Sequence, residues 1–249
     1  MRFLKILFYG FLIMVALGFF LKGKAFEFFG IGDDDIVVSE VFDESDMEAD
    51  GFDEIFISGN FKVILAQESD YEINVNASQE LKPYIVVNQD GDRLEVKLKK
   101  GFSVRKMGKA EVFIASPKIN HVKVSGGVEL KTRNAIKTER LELEVSGAGD
   151  VSMEVEADRF ETHLSGAGSM DLKGKSDVAE ISISGAGKVN AFDLVTDRLE
   201  VHVSGAGLAN VHARDELDVH VSGAASLRYK GSPRISQSIS GAGSVRSAD

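Results

Sequence analysis

The chain has no cysteine, no tryptophan and only 3 prolines in 249 residues. Without cysteine there is no disulfide framework, no thiolate metal site, no Cys nucleophile and no lipoprotein cysteine to acylate. Positive charge is in short supply as well. The formal net charge is −10 and no basic, aromatic-rich patch occurs, which argues against a nucleic-acid partner. With proline this rare, the 25 glycines read as backbone corners of a folded chain, long enough for one large domain or two small ones.

Only one long apolar run is present, ILFYGFLIMVALGFFL from Ile6 to Leu21, preceded by Arg2 and Lys5 and followed by KGKA, Lys22 to Ala25. A basic start, an apolar stretch and small residues at Gly23 and Ala25 predict a signal peptide over residues 1–25. The rival reading is an uncleaved membrane anchor through residues 6–21, because Lys22 and Lys24 sit where signal peptides avoid positive charge. Either way the domain is exported, to the periplasm, the outer surface or a membrane-anchored place in the envelope. Residues 26–51 read as an acidic linker: the stretch 33–54 holds eleven carboxylates and no Lys or Arg.

The remainder repeats. Serine followed by glycine recurs at Ser125, Ser146, Ser165, Ser184, Ser204, Ser222 and Ser240, at intervals of 21, 19, 19, 20, 18 and 18, with an isolated early copy at Ser58. A period near twenty is the mark of a solenoid. Counting from each serine, positions −1, −3 and −5 are apolar, as in Val145, Leu143 and Leu141 or Val203, Val201 and Leu199, whereas 0, −2 and −4 are polar. That alternation predicts a half-buried strand, with a second strand after the turn that points Val151, Met153 and Val155, or Met170 and Leu172, inward. Two strands and two turns leave no room for a helix. The expected fold is all-β, a right-handed parallel β-helix with coils of 18–21 residues over 121–249, preceded by irregular coils over 52–120 that cap its N-terminal end. Its six rises span roughly 29 Å.

The corners Ser146-Gly147-Ala148-Gly149, Ser165-Gly166-Ala167-Gly168, Ser184-Gly185-Ala186-Gly187 and Ser204-Gly205-Ala206-Gly207 are expected to be structural. Glycine turns without a Cβ penalty, and the serine hydroxyl can bond backbone or its copy one coil away. A phosphate loop needs a following helix and usually a Lys; a calcium roll needs an Asp in every copy and half this period. Neither pattern is present. No cofactor is implied.

Stacking turns each outward position into a column. At −4 stand Glu142, Glu161, Glu180, Glu200 and Asp218; at −6 stand Arg140, Arg159, Val178, Arg198, Glu216 and Arg234. Carboxylates about 4.8 Å apart repel, so cross-coil arginines are expected to neutralise most of the ladder. A cation is expected first near Glu180 and Asp218, where the arginine is missing. At −2 the column includes His163, His202 and His220; the last two, on adjacent coils, could share a metal. These carboxylates and histidines are the candidate surface-binding ladder. Coil lengths this uniform build no cleft wall, and no G-x-S-x-G or H-E-x-x-H occurs, so catalysis is not expected.

The blocks FDEIFISGNFKVILAQ, NVNASQELKPYI, GDRLEVKL and VFIASPKINHVKVSGGV, followed by the SGAG coils, resemble in that order the head GIN domain family. Those are bacterial exported proteins labelled autotransporter adhesins. The resemblance runs from about Phe52 to the C-terminus; it implies a right-handed β-helix at the cell envelope and brings no catalytic residues. The chain departs from many relatives in lacking their lipoprotein Cys, which leaves its mode of attachment open. It also shows no C-terminal β-barrel. The expected function is non-enzymatic: an adhesin-like or structural envelope module offering flat faces to a polysaccharide, an envelope protein or another copy, end to end. The alternatives are a carbohydrate-active β-helix enzyme and an envelope-stress accessory protein.

Overall fold

Alternating Val, Ile and Leu make strands and almost nothing else over residues 51–99 and 110–249, which are those the computed structural model describes. The signal or anchor segment and nearly all of the acidic linker lie outside the described residues. Among the described residues no helix is long and apolar enough to cross a membrane. The only helical element there is a 3-10 turn at Lys82–Tyr84, where Pro83 breaks the strand pattern.

Eight short strands come first: β1 (Glu54–Gly59), β2 (Phe61–Gln67), β3 (Glu72–Asn76), β4 (Ile85–Asp90), β5 (Arg93–Leu98), β6 (Ala110–Ser116), β7 (His121–Gly126) and β8 (Glu129–Thr132). Longer ones follow: β9 (Ile136–Gly147), β10 (Asp150–Gly166), β11 (Ser169–Gly185), β12 (Lys188–Gly205) and β13 (Leu208–Gly223). β14 (Ser226–Lys230) and β15 (Arg234–Gly241) make the next coil, and β16 (Ser244–Ser247) begins another by stacking on β14. From β9 onward successive coils stack in parallel with serine on serine, Ser146 on Ser165, Ser184, Ser204, Ser222 and Ser240. The chain is a parallel β-solenoid.

Two details differ from the alternation pattern. Each middle coil is one strand of 16 to 18 residues, not two, because hydrogen bonding to the neighbouring coil continues around the second bend. That bend has its own inward column, Ala157, Ser176, Thr196 and Ala213, in register and buried. Ser176 Oγ donates to the Val178 carbonyl at 2.9 Å and Thr196 Oγ1 to the His212 carbonyl at 2.9 Å, so the buried hydroxyls are satisfied. The variation in coil length is absorbed before the GAG corner is reached again. Register shifts fall between Asp171 and Lys173, between Ala191 and Val195, and between Thr196 and Arg198.

The expected interior is the observed one. Leu141, Leu143, Val145, Val151, Met153, Val155, Met170 and Leu172 are buried, as is Phe160. Thr162, a hydroxyl in an apolar position, is fully buried and donates to the Leu143 carbonyl of the coil below at 3.1 Å.

At the N-terminal end spatial order departs from chain order. The coil β1–β2 lies between two others: β1 pairs in parallel with both β5 and β7, and β2 with both β6 and β8. The coil built from β5 and β6 is therefore the outermost. It is closed by β4 and β3, which run antiparallel to β5 and β6. Asp90 pairs with Arg93 across Gly91-Asp92, a two-residue hairpin.

Candidate functional site

The corner comes first because it aligns everything beside it. At Gly185, φ is +115°, and a Cβ there would sit 2.5 Å from the Gly166 carbonyl oxygen. Only glycine lets successive coils approach so closely. The backbone ladder then carries on through the corner: Ala167 N–H donates to the Gly147 carbonyl, Ala186 to Gly166 and Ala206 to Gly185, each at 2.9 Å. Ser146, Ser165, Ser184 and Ser204 are exposed, and none of their hydroxyls makes a hydrogen bond among the described residues. Backbone holds the corner, and the hydroxyls face outward.

The columns form as the spacing predicts. Glu142, Glu161, Glu180, Glu200 and Asp218 stand in one row; Glu144, His163, Ser182, His202, His220 and Ser238 stand in the next. The −2 column and the serine column together line a shallow open groove of about 480 Å³ along this face, from His163 and Ser165 to Ser238 and Ser240.

Neutralisation of the carboxylates is uneven. Glu161 is gripped from two coils, by Arg159 and by Arg140 Nη2 at 3.0 Å. The Arg159 hydrogen bond, reinforced by Arg140, holds its carboxyl below the usual range against the opposing effect of burial. Glu144 accepts from Lys123 Nζ at 2.7 Å and contacts His121 Nε2 at 3.0 Å. Lys123 chiefly, and His121 after it, lower its pKa. Arg198 forms no ion pair among the described residues; it lines a separate polar hollow at the second bend with Asp197, Arg214 and Glu216.

Further along, Glu180 accepts from Ser182 Oγ at 3.5 Å, and Glu200 and Asp218 meet histidines. Glu200 Oε1 is 2.8 Å from His202 Nε2, and Asp218 Oδ1 is 3.5 Å from His220 Nε2. The two imidazoles stack with centroids 4.9 Å apart and planes 7° from parallel. Asp218 Oδ1 is shielded from solvent yet has no hydrogen bond. The structure therefore brings His202 and His220 together and leaves His163 apart, separated from them by Ser182.

Alternation alone overlooked two outward columns on the other leg. Ser169 Oγ donates to Asp150 at 2.5 Å, and Asn190 Nδ2 donates to Asp171 Oδ1 at 2.9 Å. Counting forward from the last glycine, as well as backward from the serine, would have found both.

Comparison with known proteins agrees with this architecture. The family described as "Putative auto-transporter adhesin, head GIN domain" matches residues 51–233. A crystal structure of a "putative adhesin" from Bacteroides fragilis NCTC 9343 is similar with a TM-score of 0.77 at 22% identity, covering 88% of this chain and 100% of that one. One from Parabacteroides distasonis ATCC 8503, also called a "putative adhesin", is 26% identical with a TM-score of 0.69, covering 85% and 97%. Another from the same organism, called a "putative lipid binding protein", is 22% identical with a TM-score of 0.67, covering 82% and 95%. None of these names is that of an enzyme. No curated protein matches.

Proposed function

The chain belongs to the head GIN domain family, and from that premise we propose that it is a non-catalytic binding module of the bacterial cell envelope, adhesin-like in its work. Its ligand surface is the groove along the serine and −2 columns. The observation that carries this reading is the row of outward, unbonded serine hydroxyls, repeated at the coil spacing beside His163, His202 and His220. A regular row of donors and acceptors, with no loop over it among the described residues, suits an extended polymer whose own hydroxyls repeat, and a polysaccharide is the first such ligand. The same openness disfavours hydrolysis, which needs a pair of carboxyl groups held on either side of the scissile bond. Export to the envelope accords with the names of the relatives.

The purified chain, mixed with insoluble polysaccharides, should be depleted from solution while the polymer stays intact. Replacing Ser204 and His163 together with Glu should abolish the depletion, since bulk and charge then fill the groove. Absence of depletion from any polymer would sink the polysaccharide reading, and new reducing ends would establish the enzymatic one.

A second reading is favoured by the other end of the molecule. Every residue of β15 is exposed, including Ile235 and Ile239 at 39% and 40%. An open strand edge carrying apolar side chains is a template for a second copy.

A further inference from the structure

We propose that Glu200, His202, His220 and Asp218 form a binding site for a divalent transition-metal ion, with zinc the best match. Four groups that can ligate a metal occupy a two-by-two patch of adjacent coils: Glu200 beside Asp218, His202 beside His220. Ligand atoms of Glu200, His202 and His220 already lie within 4.8 Å of one another. Tetrahedral zinc, bound at about 2.0–2.2 Å by N and O, needs its ligands about 3.3 Å apart. The Glu200–His202 and Asp218–His220 separations, 2.8 and 3.5 Å, bracket that value. The separations across the two coils, between the rings and from Asp218 to the Glu200–His202 pair, must close, and rotation of histidine side chains that are 41% and 46% exposed and of the Asp218 carboxylate brings the ligand atoms together.

Two independent observations point the same way. Asp218 Oδ1 is shielded from solvent with no hydrogen bond, which is costly for a carboxylate unless a cation meets it. Glu200 and Asp218 also form no ion pair with Lys or Arg among the described residues, whereas Glu161 and Glu144 are held by Arg140 and Arg159 and by Lys123. A doubly charged ion would neutralise two of the carboxylates that no Lys or Arg pairs, the two that stand beside histidines. The other grouping of this kind, His121 with Glu142 and Glu144, contains the Lys123 ammonium, which already occupies the place of a cation. Two imidazoles with two carboxylates suit zinc; calcium prefers oxygen alone. Bound there, the ion would tie β12 to β13 across the ladder.

Metal binding stands apart from the adhesin reading and is measured with no polymer present. Zinc is titrated calorimetrically into the metal-free, purified full chain at neutral pH, and thermal unfolding is followed with and without the metal. We expect saturable binding of one ion per chain and a raised melting temperature. His202→Ala and His220→Ala should each weaken binding at least about tenfold, while Glu139→Gln, at an exposed acid away from the patch, should bind as before. Far-UV circular dichroism of each variant verifies that the solenoid is intact. The proposal is overturned by a titration without saturation, by binding that survives the double histidine variant in the folded state, or by calcium binding as tightly as zinc.

Discussion

At Gly185 the demand on a single residue is at its sharpest. Its φ of +115° is closed to side chains, and the Gly166 carbonyl occupies the space a Cβ would need. Gly185→Ala should therefore lower stability by about 2 kcal/mol or more, read as a lower urea midpoint at unchanged slope. Gly91 is the contrast. Its φ is +58° and nothing lies within 4 Å of the place a Cβ would take, so Gly91→Asn should shift the same midpoint little. The need for glycine was legible in its recurrence. Its strictness was not, because the clash comes from a backbone atom of another coil. The fourth position of the corner is less strict: Ala225 is buried where the other corners keep Gly207 or Gly187. Thr162 sits inward as the alternation requires, but only the stacked coil reveals the Leu143 carbonyl that satisfies it.

A strand's outward positions become columns, and columns are where charge is settled. The carboxylate row was readable from spacing alone. Its pairing was not: the arginines crowd around Glu161 and leave Glu200 and Asp218 to histidines. Because Arg159 and Arg140 depress the Glu161 pKa in the folded state, the stabilisation is present above the unfolded pKa and is lost as pH falls through the folded one. Between about pH 5 and pH 3, then, Glu161→Gln should flatten the fall in urea midpoint seen in the parent. Glu144 contributes in the same direction in both proteins, so the difference between the two curves isolates Glu161. Equal slopes would mean that the paired arginines do not hold Glu161 in solution.

Over the whole molecule the two ends are unlike. The N-terminal end is closed by β3 and β4, antiparallel to the outermost coil, which is how a solenoid avoids an open edge. At the far end are β15 and β16, and among the described residues no strand pairs with the outer side of β15, where Ile235 and Ile239 hold inward positions. If that edge seats a second copy, sedimentation of the chain should show mass rising with concentration, and Ile239→Lys should return it to a monomer. A parent that stays monomeric at high concentration would remove self-association from its functions.

The sequence by itself determined the period, the inside and outside of every regular coil, the glycine corner and the composition of each outward column. These follow from local rules: alternation sets the face, and a repeated turn sets the register. Tertiary structure alone decided what depends on which strands become neighbours. It placed β1–β2 between β5–β6 and β7–β8, since strands of like length and pattern can stack in more than one order. It joined two legs into one strand at the second bend, because the neighbouring coil keeps its hydrogen bonds there. It also distributed the arginines, leaving one pair of carboxylates beside one pair of histidines, since charge pairing depends on side-chain reach across coils and not on position in a row.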